Sequence, residues 1–227
     1  YGYLVADECH HISARSFEIV ARQSKAKFVT GLSATVTRRD GHHPIIFMQC
    51  GPVRYRVDER KQAEMRPFSH KVIVRETGFK LPERLVDESA LSIHELYAAL
   101  ISDERRNSLI VEDVLAAVRA NRSPVLLTER REHLAILQDL LSPMIQNLIV
   151  MKGGMGKKQR QRLVERIASI PDEEERVILA TGRYLGEGFD DARLDTLFLS
   201  LPVSWRGTLI QYAGRLHRQH DTKREVV

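Results

Sequence analysis

Six short apolar runs, each closed by a small, polar or acidic residue, constrain this chain more than any other feature. They are Leu4-Val5-Ala6 before Asp7, Phe28 to Leu32 before Ser33, Val125 to Leu127 before Thr128, Leu148 to Met151 before Lys152, Val177 to Ala180 before Thr181, and Leu197 to Leu199 before Ser200. None alternates apolar with polar residues, which is how parallel strands buried on both faces read. Helical patterns fall between them: Leu134, Leu137 and Leu141 share one face, as do Leu163, Ile167 and Ile170. Ser92 with Glu95, and Thr208 with Gln211, have capping-box spacing at helix starts. Strands alternating with helices predict an α/β fold built on parallel sheets. Ligands bind such sheets beyond the carboxyl ends of the strands, where the polar residues closing each run lie.

The 227 residues can form two modest units, each with a core. Gly51-Pro52, many charges and Arg66-Pro67 mark a join between residues 1–66 and 67–227, flanked by strand-like Val53 to Val57 and Lys71 to Arg75. No apolar run approaches the roughly 18 residues of a membrane-spanning helix, so no membrane partner is expected. The net charge of +5 is compatible with a polyanionic partner. Two cysteines, Cys9 and Cys50, make no disulfide scaffold, so a reducing, cytoplasmic setting is expected. The chain opens at Tyr1 directly onto an apolar run, as expected of a chain cut within its first domain.

Four segments carry chemistry. Asp7-Glu8-Cys9-His10 puts two carboxylates after a strand, one suited to hold Mg²⁺ through water and the other to deprotonate an attacking water. Ser33-Ala34-Thr35 places two hydroxyls at the end of the next strand, where they can bond neighbouring loops. Thr181-Gly182 to Gly188-Phe189-Asp190 is a glycine-rich loop whose amides can approach a phosphate or ribose, with Asp190 an acceptor for a sugar hydroxyl. In Gln211 to Arg218, Arg215 and Arg218 stand three apart and would share a helix face, an arrangement that calls for an anion between them. The bland readings are a solvated turn, a strand-end turn, a flexible loop and a basic helix paired with surface carboxylates. Cys9, His10, His11, His42, His43 and Cys50 match no zinc spacing. Arg130-Arg131, Lys157-Lys158, Arg160 and Arg162 read as solvated helix faces, with phosphate holding as the alternative, and Trp205 as packing beneath the last motif rather than base stacking.

In this order the segments DECH, SAT, TGRYLGEGFD and QYAGRLHR resemble motifs II, III, V and VI of superfamily 2 helicases. With a motif IV-like Val125 to Arg130, the resemblance covers residues 4 to 218. GLSATVTRRDG and GEGFDDARLDTLFLSLPVSW resemble the branch of DNA-repair and restriction- or defence-associated ATPases more than the RNA-remodelling branch. The resemblance implies two RecA-like units, the first represented by its last strands. It makes ATP and Mg²⁺ the cofactors, Asp7 the Mg²⁺ ligand and Glu8 the general base. His10, Ser33, Ala34 and Thr35 would couple the nucleotide state to movement. Gly188, Asp190 and Gln211 would lie at the nucleotide, and Arg215 and Arg218 would reach its γ-phosphate. Thr128, Lys152, Gly153, Gly154, Thr181 and Gly182 would track the nucleic-acid backbone, DNA rather than RNA. The implied partners are nucleic acid, the missing N-terminal part of the same protein, and another chain paired with the exposed first-unit remnant. Rival readings are a nucleic-acid-binding module without ATPase activity and an RNA helicase.

The departure is the absence of GxxxxGK[ST], the phosphate loop. Gly153-Gly154-Met155-Gly156-Lys157-Lys158 imitates it, but Met151 stands where the first glycine belongs and Lys158 where Ser or Thr should follow. This chain alone is therefore expected to bind ATP weakly and hydrolyse almost none. Nucleotide titration of the isolated chain should show no sub-micromolar binding; tight binding would overturn the expectation.

Overall fold

The computed structural model describes residues 2–34, 41, 43–58, 61, 64–82, 92–182, 191–203 and 206–227. The chain divides into two compact units, Tyr1–Arg66 and Pro67–Val227.

In the first unit β1 (Tyr3–Ala6) pairs in parallel with β2 (Phe28–Gly31), Tyr3 opposite Phe28 and Ala6 opposite Gly31. The crossover between them is a 3₁₀ turn, Cys9–Ser13, followed by α1 (Arg15–Gln23), and α2 (His43–Cys50) comes after β2. Burial is sparse: Cys9, His10, Ile12 and Ile46 are enclosed, whereas Tyr3 is 57% exposed and Phe17, Val20 and Phe28 also face solvent. The expected burial of β1 on both faces is therefore not seen, because β2 is its one strand neighbour among the described residues.

The second unit opens with β3 (Ser69–His70), α3 (Ile93–Ser102) and α4 (Glu104–Arg119). It continues through β4 (Pro124–Thr128), α5 (Arg131–Leu141), β5 (Leu148–Met151), α6 (Lys157–Ser169), β6 (Val177–Thr181) and β7 (Thr196–Leu199). It closes with α7 (Arg206–Leu216) and β8 (Glu225–Val226). Strands β5-β6-β4-β7 form one sheet in that order, every pair parallel. β3 and β8 pair in parallel beside it. Val227 joins them to β7: its carbonyl accepts from Leu197 N–H and its own N–H donates to the Asp195 carbonyl.

Helices cover both faces of this sheet. Leu126 and Leu179 pack with Val114, Leu134, Leu137 and Leu141 on one side. Val125, Leu127, Ile149, Ile178 and Ala180 pack with Ile167, Tyr212 and Leu216 on the other. Adjacent residues of β4 thus enter opposite cores, which explains why its sequence is a continuous apolar run. The helical faces read from Leu134-Leu137-Leu141 and Leu163-Ile167-Ile170 are the ones that pack.

Local expectations fared unevenly. The Ser92–Glu95 capping box is present: the Ser92 hydroxyl accepts from Glu95 N–H and the Glu95 carboxylate accepts from Ser92 N–H. Thr208 is no cap, because α7 begins two residues earlier, at Arg206. Neither 53–57 nor 71–75 forms a strand. Pairing stops at His70, where its partner β8 offers only Glu225 and Val226, and Val72 is left 88% exposed. Trp205 lies outside the described residues.

Leu137 is fully enclosed between α4, α5 and the sheet. Leu137→Ala should lower unfolding stability by about 2–5 kcal/mol, read by urea denaturation.

Candidate functional site

The turn after β1 is tied to the end of β2 by two backbone bonds: Leu32 N–H donates to the Ala6 carbonyl, and Cys9 N–H to the Leu32 carbonyl. Within it Asp7 Oδ1 accepts from Glu8 N–H at 2.9 Å. Glu8 adopts a left-handed backbone conformation, φ 48 and ψ 49. That costs a residue with a Cβ roughly 1–2 kcal/mol, a strain that persists only where surrounding structure enforces it and that collects at functional sites. The buried His10 ring supports the turn: its Nδ1 is 3.1 Å from Ser33 Oγ and 3.2 Å from Glu8 Oε2. Asp7, Glu8, His10 and Ser33 therefore meet at the carboxyl ends of β1 and β2, with Ala34 following Ser33. Thr35 lies outside the described residues.

The buried Glu8 Oε2 has His10 within ion-pair distance but no donor in hydrogen-bonding alignment. It is an acceptor available to a water proton. Among the described residues no three His, Cys, Asp or Glu side chains converge as a metal cage. A Mg²⁺ ion needs no such cage, since it keeps several waters and takes one or two carboxylates together with substrate phosphates. Asp7 fits that limited role.

Cys9 and Cys50 come from the turn and from the end of α2, and burial pushes both thiols up. A Cβ on Gly31 would come within 2.9 Å of each sulfur, so the glycine leaves the space they occupy.

In the second unit the strand order places the ends of β5, β6 and β4 side by side, with Thr181 opposite Thr128 in register. The candidate residues Lys152, Gly153, Gly154, Thr181, Gly182 and Thr128 consequently line one sheet edge although they span 55 positions of sequence, 128 to 182. Gly154 has φ 90, which a side chain would strain, and a Cβ on Gly153 would come 2.9 Å from Arg131 Nη2.

Thr128 corrects an expectation. It is 1% exposed, and its hydroxyl faces inward rather than toward a ligand. Asn107 Nδ2 donates to the Ile101 carbonyl at 2.8 Å, which turns Asn107 Oδ1 toward His133 Nε2 at 2.9 Å. Nε2 must then carry the proton, so His133 Nδ1 accepts from the Thr128 hydroxyl at 3.1 Å. Thr128 Oγ1 in turn accepts from Arg130 N–H at 3.3 Å, fixing the chain as it leaves β4. Burial first, and then the nearby Arg106 guanidinium, push the His133 pKa down to about 4.

A second junction joins three segments. Tyr212 on α7 donates its hydroxyl to Glu129 Oε1 at 3.2 Å, and a Cβ on Gly182 would overlap both groups. Burial and the Glu129 charge raise the Tyr212 pKa, so the phenol stays protonated. Gln211 and Arg215 flank Tyr212 on α7, both half-buried. Arg218 does not share their helix, because α7 ends at Leu216. It stands in the following turn, where the buried Lys223 ammonium donates to the carbonyls of Leu216 at 2.8 Å and Arg218 at 2.7 Å. Gly188 and Asp190 lie outside the described residues. His133, Asn107 and Lys223 carried no site signal in the sequence, because each acts through a contact that only the fold creates; Glu129 and Tyr212 lay inside motif-like segments without an assigned role.

A family model described as "Type III restriction enzyme, res subunit" matches residues 1–38. A protein of Acanthamoeba polyphaga mimivirus named as an ATP-dependent RNA helicase is 25% identical over 96% of this chain and 41% of its own length. A protein of Sulfolobus islandicus filamentous virus named as a helicase is 24% identical over 98% of this chain and 41% of its own length. The likeness is to helicases. The chain spans less than half the length of these relatives.

Solved structures agree on the fold. Dbp5 of S. cerevisiae, bound to RNA in its crystal, matches with a TM-score of 0.60 at 11% identity, over 99% of this chain and 52% of that one. UvsW of phage T4 matches with 0.52 at 16% identity, over 100% and 44%. The Pyrococcus furiosus Hef helicase domain matches with 0.51 at 15% identity, over 99% and 70%. The architecture is RecA-like, as expected. Among the described residues no helix is long and apolar enough to cross a membrane.

The buried neutral His133 makes stability pH-dependent. Its folded pKa lies below the ordinary 6.5, so the unfolded chain takes up the proton first. Its contribution is intact above pH 6.5 and is lost as pH falls toward 4, by up to about 1.4 kcal/mol per pH unit. Urea unfolding of the native chain and of His133→Gln across that range should show this slope only in the former.

Proposed function

We propose that this chain is the rear portion of a superfamily 2 helicase or translocase, an ATP-hydrolysing motor on nucleic acid. Residues 1–66 would be the end of its first, ATP-binding RecA-like domain and residues 67–227 its second. The observation that carries the reading is the Asp7–Glu8 turn. Two carboxylates stand at a strand end, one in a strained backbone conformation, locked through His10 to Ser33 at the end of the next strand. A merely solvated turn needs neither the strain nor the lock.

In this reading Asp7 holds Mg²⁺ through water, and the metal supplies charge neutralisation at the phosphates. Glu8 orients the attacking water and accepts its proton at Oε2. His10, Ser33, Ala34 and Thr35 pass the state of the carboxylate turn to the end of β2. Arg215 and Arg218 reach the γ-phosphate, and Gln211, Gly188 and Asp190 contact the nucleotide. Lys152, Gly153, Gly154, Thr181 and Gly182 meet the nucleic-acid backbone through amides, hydroxyl and ammonium, contacts that carry no sequence preference and so suit a moving protein. Thr128 acts here as a positioning residue, shaping the edge from below.

DNA is the favoured polymer, supported by the GLSATVTRRDG segment and by the restriction-enzyme family model over residues 1–38. RNA is the second reading, supported by the name of the mimivirus relative.

ATP hydrolysis by the longer protein containing a phosphate loop, measured with single-stranded DNA, duplex DNA and RNA, tests the proposal. DNA should stimulate turnover, and Glu8→Gln should lower it about 10²–10⁴-fold while nucleic-acid binding persists. Absence of turnover with every polymer would leave only a binding module.

A further inference from the structure

Cys9 and Cys50 lie 41 positions apart, and no established spacing pairs them. The fold nevertheless brings their sulfur atoms into one small space. Cys9 opens the 3₁₀ turn behind the carboxylates, and Cys50 is the last residue of α2. Both are free thiols, and their sulfurs lie against the same point above Gly31. Gly31, in the strand between them, would place a Cβ 2.9 Å from each sulfur, so the pair fills room that any other residue there would take. Cys9 is buried, whereas Cys50 is only partly so.

We propose that Cys9 and Cys50 form a reversible intrachain disulfide, a redox modification site within the first unit. The oxidant is hydrogen peroxide. The sulfur of Cys50, the less buried of the two residues, attacks the peroxide, its O–O bond breaks, and Cys50 becomes a sulfenic acid as one water leaves. The Cys9 sulfur then attacks the Cys50 sulfur, forming the S–S bond and expelling the second water. Two thiols lose two electrons and two hydrogens in all, and one peroxide becomes two waters. A dithiol reductant reverses the process by exchange. Both sulfurs already face one position above Gly31, and the bond they would form is about 2.05 Å long.

The bond would have a local consequence. Cys9 N–H is already tied to Leu32, and Cys9 directly follows Glu8. A covalent link to Cys50 would staple the carboxylate turn to α2, the helix that follows the Ser33 segment. The chemistry stands whether or not that turn hydrolyses ATP.

The test treats the reduced full chain with hydrogen peroxide, blocks remaining thiols with N-ethylmaleimide, and reads intact mass and a non-reducing digest. The expected result is a monomer lighter by two hydrogens, with neither thiol alkylated and a single cross-linked peptide pair containing Cys9 and Cys50. Dithiothreitol should restore both maleimide-reactive thiols. Cys9→Ser and Cys50→Ser, tested separately, should each lose the cross-link while keeping the far-UV signature of the native chain. Recovery of both thiols as maleimide adducts, sulfinic acid at Cys50 with Cys9 still reduced, or disulfides between chains would each overturn the proposal.

Discussion

The pairing of β4 with β6 is the interaction on which the second unit depends. Val125, Leu126, Ile178 and Leu179 are all fully excluded from water, and the ladder holds their backbone groups where no water can serve them. Because adjacent side chains enter opposite cores, a slip of one residue would exchange the contents of the two layers. Register is therefore strongly specified, and with it the juxtaposition of Thr128 and Thr181. Every contact at the sheet edge follows from that alignment.

Polar groups just behind the edge convert the alignment into a defined surface. Asn107 and His133 satisfy the Thr128 hydroxyl, and Tyr212 and Glu129 close around Gly182. Each arrangement leaves little freedom: the His133 tautomer is dictated by its neighbours, and Gly182 cannot accept a side chain. Lys223 performs a comparable task beyond α7, holding the turn that carries Arg218 through its carbonyl. The sheet edge is thus supported from behind by neutral or internally paired groups.

The first unit is built differently. Its two strands bury little, and its organisation rests on the short connections after β1 and β2 rather than on a thick core. Glu8 bears backbone strain that the Cys9–Leu32 bond and the His10 ring sustain. The same tight crossing leaves space over Gly31 for two thiols and for no other side chain.

The strands, the packed faces of α5 and α6, the Ser92 cap and the parallel α/β class were legible in the amino-acid order, because they depend on neighbours within a turn or two. Asp7, Ser33 and Thr181 stand at strand ends as read, whereas Gln211 to Leu216 lies on α7 and Arg218 in the turn beyond it. Strands expected at 53–57 and 71–75 failed because their β-like composition lacked a partner to pair with, and the shared helix of Arg215 and Arg218 failed because α7 stops at Leu216. The sequence by itself determined the six continuous apolar strands and the residues that end them. Only the tertiary structure decided that Thr128 turns inward to His133, that Tyr212 meets Gly182, and that Cys9 meets Cys50. Those contacts join residues far apart in the chain, and strand order and register, rather than any local pattern, set which of them meet.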